Sequence, residues 1–229
     1  MMFPLFDPSS LLLIPALILA FWAQNKVKRS YRKFSQVRSA SGLTGATVAR
    51  RLLNSNGMND VEVEPVAGEL SDHYDPRTRK VRLSEGIYNS GSVAALGIAA
   101  HEVGHAVQHA NGYAALRFRH ALLMPANLGT TLAFPIFLIG FIFSSVNVLM
   151  DIGIYLFLGA LAFQLITLPV EFNASRRALV ALRGTGMMAD AEVDQARQVL
   201  SAAAWTYVAA ATMALSHLLR LLILRGARD

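Results

Sequence analysis

The chain has 229 residues, 54% hydrophobic and only 16% charged, with a mean hydropathy of +0.40; this is too apolar for an ordinary soluble domain, so a membrane protein is expected. The absence of cysteine excludes a disulfide scaffold, thiolate metal sites, iron–sulfur clusters and cysteine nucleophiles, so any metal must be held by His, Asp and Glu. The net charge of +6 would suit a nucleic-acid partner, but the basic residues flank apolar stretches instead of forming a stripe with aromatics. The charge is therefore read as membrane topology, and no nucleic acid is expected.

The first predicted element is a transmembrane helix within residues 1–24. Its apolar run, Ser10 to Ala23, reaches a full span only when Phe3 to Phe6 are counted. No basic region precedes it, which argues against a cleaved signal peptide. Residues 25–121 are polar and long enough for a small domain. There, Thr44 to Leu53 has helical periodicity and ends at Asn54 to Gly57. Val61 and Val63 alternate with Glu62 and Glu64, and Val81 and Leu83 with Lys80, Arg82 and Ser84. This predicts two short strands, a β-hairpin joined through His73-Tyr74-Asp75-Pro76-Arg77, with Asp-Pro as the turn signal. Ser92 is the predicted N-cap of a helix running through Val107 to Gln108 and closed by Asn111-Gly112. Residues 122–149 and 152–170 are the second and third predicted spans, with Pro125, Pro135 and Pro169 placed to bend their ends. A helical segment over 171–200 leads to a fourth span at 201–224, Ala-rich, with His217 and Arg220 toward its end, where Arg can snorkel.

Orientation follows from Lys and Arg at the ends of the spans. Lys26, Lys28, Arg29, Arg32 and Lys33 follow the first, Arg117 and Arg119 precede the second, and Arg176, Arg177 and Arg183 follow the third. With four spans these flanks share one side, while the connection Ser144 to Asp151 carries neither Lys nor Arg. The N-terminus is then outside and both polar regions, 25–121 and 171–200, are cytoplasmic. Arg225 and Arg228 at the C-terminus oppose this assignment, and Asp7 reads as a solvated turn before Pro8.

The sharpest chemical signal is His101-Glu102-Val103-Gly104-His105, an H-E-x-x-H inside a predicted helix. Residues four apart share a helix face, so both imidazoles can be directed at one Zn²⁺, with Glu102 close enough to take a proton from its water. The neighbours Val93 to Ala100 and Ala106-Val107 are apolar or small all round. That implies burial, where unpartnered polar groups are costly. A third ligand is not contiguous: the metzincin spacing would need His at 111, which is Asn111. Glu171, directly after the third apolar stretch, is one candidate, and a membrane-flanking Glu paired with Arg is the other reading of it. His73 and Tyr74 are candidate oxyanion donors or simply turn residues. Arg176 is a second-sphere or oxyanion group or a basic flank, and His109 a supporting or surface residue. His120 and His217 read as interfacial or bundle residues.

Four runs carry a family resemblance: Gly42 to Arg50, Leu70 to Arg77, Ala99 to Gln108 and Glu171-Phe172-Asn173-Ala174-Ser175. In this order, across almost the whole chain, they resemble the YugP-type neutral zinc metallopeptidases of bacterial membranes. The arrangement is also similar to the HtpX-type gluzincins, in which a Glu in an E-x-x-A-D motif after a transmembrane helix is the third zinc ligand. The resemblance implies Zn²⁺ held by His101, His105 and Glu171. Ser175 stands where the family has Asp, so the carboxylate supporting one His is expected from elsewhere.

The expected fold is mainly α: a polytopic membrane protein with about four transmembrane helices and a small cytoplasmic zincin-like domain containing a short β-hairpin. The expected function is a membrane zinc metalloendopeptidase acting on membrane-associated or unfolded polypeptides at the cytoplasmic face of a bacterial inner membrane. Glu102 serves as base, and His73 or Tyr74 as oxyanion donor. The zinc would lie within about 15 Å of the membrane face at helical rise. The short strands offer an edge for an extended peptide. The partners are a polypeptide substrate and the lipid bilayer, with a membrane-protein partner or a homo-oligomer left open. The rival is a non-hydrolytic zinc-containing membrane adaptor, whose metal would be closed by a fourth ligand such as His109 or Asp72.

Overall fold

In lipid every backbone polar group must be satisfied within the protein, which leaves helices as the form open to the four hydrophobic runs. The computed structural model describes residues 7–227; Phe3 to Phe6 and Arg228 lie outside the described residues. A short 3₁₀ helix (Pro8–Leu12) leads into α1 (Leu13–Ser35). Then come α2 (Gly45–Ser55), β1 (Glu62–Val66), β2 (His73–Asp75), β3 (Lys80–Ser84), α3 (Glu85–Tyr88) and α4 (Val93–Ala110). The chain continues through α5 (Ala114–Ile142), α6 (Val148–Gly184) and α7 (Asp190–Gly226). Among the described residues four helices are long and apolar enough to cross a membrane: the one spanning Pro8–Ser35, α5, α6 and α7. The contacts divide into two units, Met1–Ala23 with Arg117–Pro169 and Trp205–Asp229, and Gln24–Leu116 with Val170–Ala204.

The first unit is a helical bundle whose interior is built from Phe137, Met150, Phe157, Leu161, Leu218 and Leu221. Phe21, Met124, Tyr155 and Leu165 point outward, as expected of a surface facing lipid. Trp22 meets Trp205 edge-on at 5.2 Å, an aromatic pair of the kind enriched at membrane–water interfaces. The apolar run 122–149 is not one helix: α5 ends at Ile142, a 3₁₀ turn follows at Ser144–Val146, and α6 begins at Val148. Hydropathy is continuous across this break, and only small polar residues mark it. Pro125 and Pro135 lie inside α5 and Pro169 inside α6. Asp7 caps the first turn and pairs with Arg220 at 3.3 Å, both side chains largely buried, so it is no solvated turn residue. Arg225, which sits uneasily in a count of basic flanks, pairs with Asp151 at 3.0 Å.

The second unit has its own core, in which Leu52, Leu83, Ile87, Leu96, Val103 and Leu182 are buried together. Its sheet has the order β1-β3-β2. β2 and β3 form an antiparallel hairpin with Tyr74 opposite Val81, and β1 joins the far edge parallel to β3, Val63 opposite Val81. His73–Asp75, expected to connect two strands, is therefore itself a strand. At three residues it is too short to show an alternating pattern, and its place is fixed by polar contacts. Arg82 bridges Asp75 at 2.9 Å and Glu64 at 2.6 Å, and Asp75 Oδ1 accepts from Arg77 N at 2.9 Å to close the turn.

Within the bundle, α6 lies so close to α5 at Gly153 that a Cβ there would sit 2.7 Å from Ala133 O, whereas among the described residues no such neighbour lies within 4 Å of one at Gly159. Gly153→Leu is expected to destabilise the protein by about 1–3 kcal/mol through overpacking. Gly159→Leu should leave the thermal unfolding temperature in detergent unchanged.

Candidate metal centre

α4 is built for burial. Ser92 caps it, its Oγ accepting from Ala95 N at 3.2 Å, and small residues along its length allow neighbours to approach. At Gly104 the backbone of α6 comes so near that a Cβ would be 2.6 Å from Ala174 O. This contact brings residues 171–175 of α6 beside His101 and His105.

His101 Nε2 lies 3.2 Å and His105 Nε2 3.6 Å from Glu171 Oε2. The imidazoles are nearly perpendicular, their centroids 4.7 Å apart. One donor atom from each of His101, His105 and Glu171 lies within 4.8 Å of the others. Ligands of a tetrahedral zinc, about 2.0–2.1 Å from the metal, are separated by about 3.3 Å, and the two imidazole–carboxylate distances bracket that edge. The donor set fits a zinc ion.

The far sides of both rings are also held. His105 Nδ1 is 3.0 Å from Gln108 Oε1, which accepts its proton and leaves Nε2 with a lone pair toward Glu171. Gln108 is fully buried and its Nε2 donates to Val170 O at 2.8 Å and to Asn173 Oδ1 at 3.0 Å. His101 Nδ1 is 3.1 Å from Ser175 Oγ. The carboxylate expected from elsewhere is thus replaced by the hydroxyl of Ser175 itself.

Glu102 is buried, and burial pushes its carboxyl up to about 7. His101 and a hydrogen bond from the backbone N–H of Tyr74 oppose that rise, while Glu171 and Asp72 add to it. A group poised near neutral pH can both accept and return a proton. Strand alternation separates the two residues considered as oxyanion donors. Tyr74 turns inward, 9% exposed, with its hydroxyl 2.8 Å from His109 Nδ1, and burial raises its phenol so that it stays protonated. His73 turns outward and its Nδ1 donates to Ser71 O at 2.8 Å. Among the described residues neither His109 nor Asp72 joins the donor group; Asp72 accepts from Ser84 N at 2.8 Å. Arg176 borders a cavity with Ala100, Val103 and Val107, a different face of α4 from the two His. Gln108 and Asn173 support His105 without being marked by the sequence as functional. The available signal was a buried polar residue one helical turn after His105.

The family described as "Putative neutral zinc metallopeptidase" matches residues 9–226. The curated "Putative membrane protease YugP" of Bacillus subtilis (strain 168) is 51% identical over 219 residues, covering 95% of this chain and 97% of that protein. No solved structure matches the chain significantly.

Removing the acceptor that orients the His105 ring should weaken the centre without touching a donor atom. Gln108→Leu is expected to lower zinc affinity by about 10- to 100-fold in chelator competition. Ser175→Asp, which places a stronger acceptor on His101 Nδ1, should hold zinc at least as tightly as the wild type.

Proposed function

Since the chain belongs to the neutral zinc metallopeptidase family, we propose that it hydrolyses peptide bonds at a zinc held by His101, His105 and Glu171, with Glu102 as general base and acid. The observation that carries the reading is the meeting of three donors from two helices at zinc-site spacing, beside a buried carboxyl near neutrality. Bound zinc would supply Lewis acidity, polarising the scissile carbonyl and activating water. Glu102 takes a proton from that water and delivers it to the leaving amine nitrogen. The Tyr74 hydroxyl, steadied by His109, is the inward-facing donor for the carbonyl oxygen as it gains charge; His73, on the outward side of the same strand and bonded to Ser71 O, is the second candidate. Gln108 and Ser175 hold the two imidazoles in the tautomer that turns Nε2 inward.

The protein is a multi-pass membrane protein. We place the site on the cytoplasmic side, because the basic clusters Lys26 to Lys33, Arg117 with Arg119, and Arg176 to Arg183 all flank the same ends of the spans. Glu171 directly follows the apolar stretch of α6, which favours membrane-associated or unfolded polypeptides as substrates. A closed structural zinc would need a fourth protein ligand, and the two candidates for it, His109 and Asp72, are engaged elsewhere.

Glu102→Gln should retain zinc and lose about 10²- to 10⁴-fold in kcat/KM on a peptide substrate; Glu171→Ala should lose both zinc and activity. Metal analysis and a hydrolysis assay on the purified variants check this, and Glu102→Gln cleaving at the wild-type rate would remove Glu102 from the mechanism. Reporter fusions after Lys33 and after Asp229 test the topology, with the first expected in the cytoplasm and the second outside.

A further inference from the structure

On the face of α4 away from His101 and His105, a cavity of about 490 Å³ opens between α2, α4 and α6. Leu52, Val103, Val107 and Val180 give it apolar walls, Arg176 and Arg177 are its charged groups, and among the described residues no Asp or Glu lines it. Arg177 Nε donates to Asn173 Oδ1 at 2.8 Å, which directs its other nitrogens away from that bond. Along α6, Arg176 follows Val170, the last residue of the third apolar stretch, by six residues, about 9 Å at helical rise.

We propose that this cavity binds the phosphate headgroup of an anionic membrane phospholipid. Guanidinium groups match phosphate oxygens in fork geometry, and basic pockets near the membrane surface on the cytoplasmic side meet anionic headgroups. The apolar walls suit the glycerol and first acyl carbons, for which a free phosphate has no counterpart. The same Asn173 oxygen also accepts from Gln108 Nε2 at 3.0 Å, and Gln108 Oε1 is 3.0 Å from His105 Nδ1. A phosphate on the outer nitrogens of Arg177 would hold its Nε on Asn173, so lipid binding stiffens the support of His105. That consequence rests on the metal centre proposed above; the lipid site does not.

The test uses the full chain, zinc-loaded, in nanodiscs of phosphatidylcholine with and without phosphatidylglycerol. Native mass spectrometry counts retained phosphatidylglycerol, and a chelator measures the rate of zinc loss. The wild type should retain phosphatidylglycerol in preference to phosphatidylcholine and lose zinc several-fold more slowly when it is present. R176Q/R177Q, and separately V180E, which puts a carboxylate at an exposed edge of the cavity, should lose both effects. R51Q, at an exposed arginine of α2 outside the cavity, should keep both. Retention unchanged in R176Q/R177Q and V180E overturns the lipid site. Inorganic phosphate slowing zinc loss as well as phosphatidylglycerol does reassigns the cavity to a free anion and overturns the lipid as occupant. Selective lipid retention with no effect on zinc loss overturns the link to His105, and failure to load zinc overturns the metal centre while lipid retention is still read.

Discussion

The closeness of α4 to α6 at Gly104 is the constraint from which the site follows. Packed helices usually keep axes about 8–10 Å apart because side chains intervene; here a Cβ at position 104 would meet both the carbonyl oxygen and the Cα of Ala174. At that separation the side chains beside the contact face one another directly. His101 and His105 reach Glu171, Ser175 reaches His101, and Gln108 reaches the carbonyl of Val170. Glu171 is 2% exposed, and a buried carboxylate is tolerated when opposite charge or a metal compensates it. The helix contact and the chemistry therefore support each other: the approach at Gly104 is what sets the Glu171 carboxylate against the two imidazoles.

Much of this was legible before any coordinates. The H-E-x-x-H sits on a helix as its spacing implies, because the period of 3.6 residues leaves little freedom at i and i+4. The apolar runs lie in long helices for a different reason, that lipid allows their backbones no other partner, although the run 122–149 is divided between α5 and α6. Glu171 stands out in the sequence as a carboxylate directly after an apolar stretch, a position that suits a basic-flank pairing as well; 66 residues beyond His105 it has no periodicity tying it to the H-E-x-x-H, and the family resemblance is what points to the ligand. Gln108 and Asn173 stand in the motif runs with no role that the sequence makes readable, because what they do depends on which ring nitrogen of His105 faces the centre, and that is a property of the fold.

The differences share a physical origin. β2 is a strand through its pairing with β3 and the Arg82 contacts, and a three-residue run carries no local signature of either. The turn at Ser144–Val146 falls in the stretch that the lack of Lys and Arg marks as a connection, but the hydropathy of 122–149 does not say where α5 ends and α6 begins. Asp7 and Arg220 are distant in sequence and meet at 3.3 Å in the bundle, a partnership that long-range packing alone decides. Strand alternation likewise separates His73 from Tyr74, adjacent residues with opposite fates: one outward on a carbonyl, the other inward on His109.

The central claim, a zinc bound by two imidazoles and one carboxylate with a further position open to water, is tested most directly by zinc K-edge X-ray absorption on the purified protein. The account predicts four light-atom ligands at about 2.0–2.1 Å, with the scattering signature of two imidazoles and no more. A signature of three imidazoles, or a first shell identical in the Glu171→Ala protein, would contradict it.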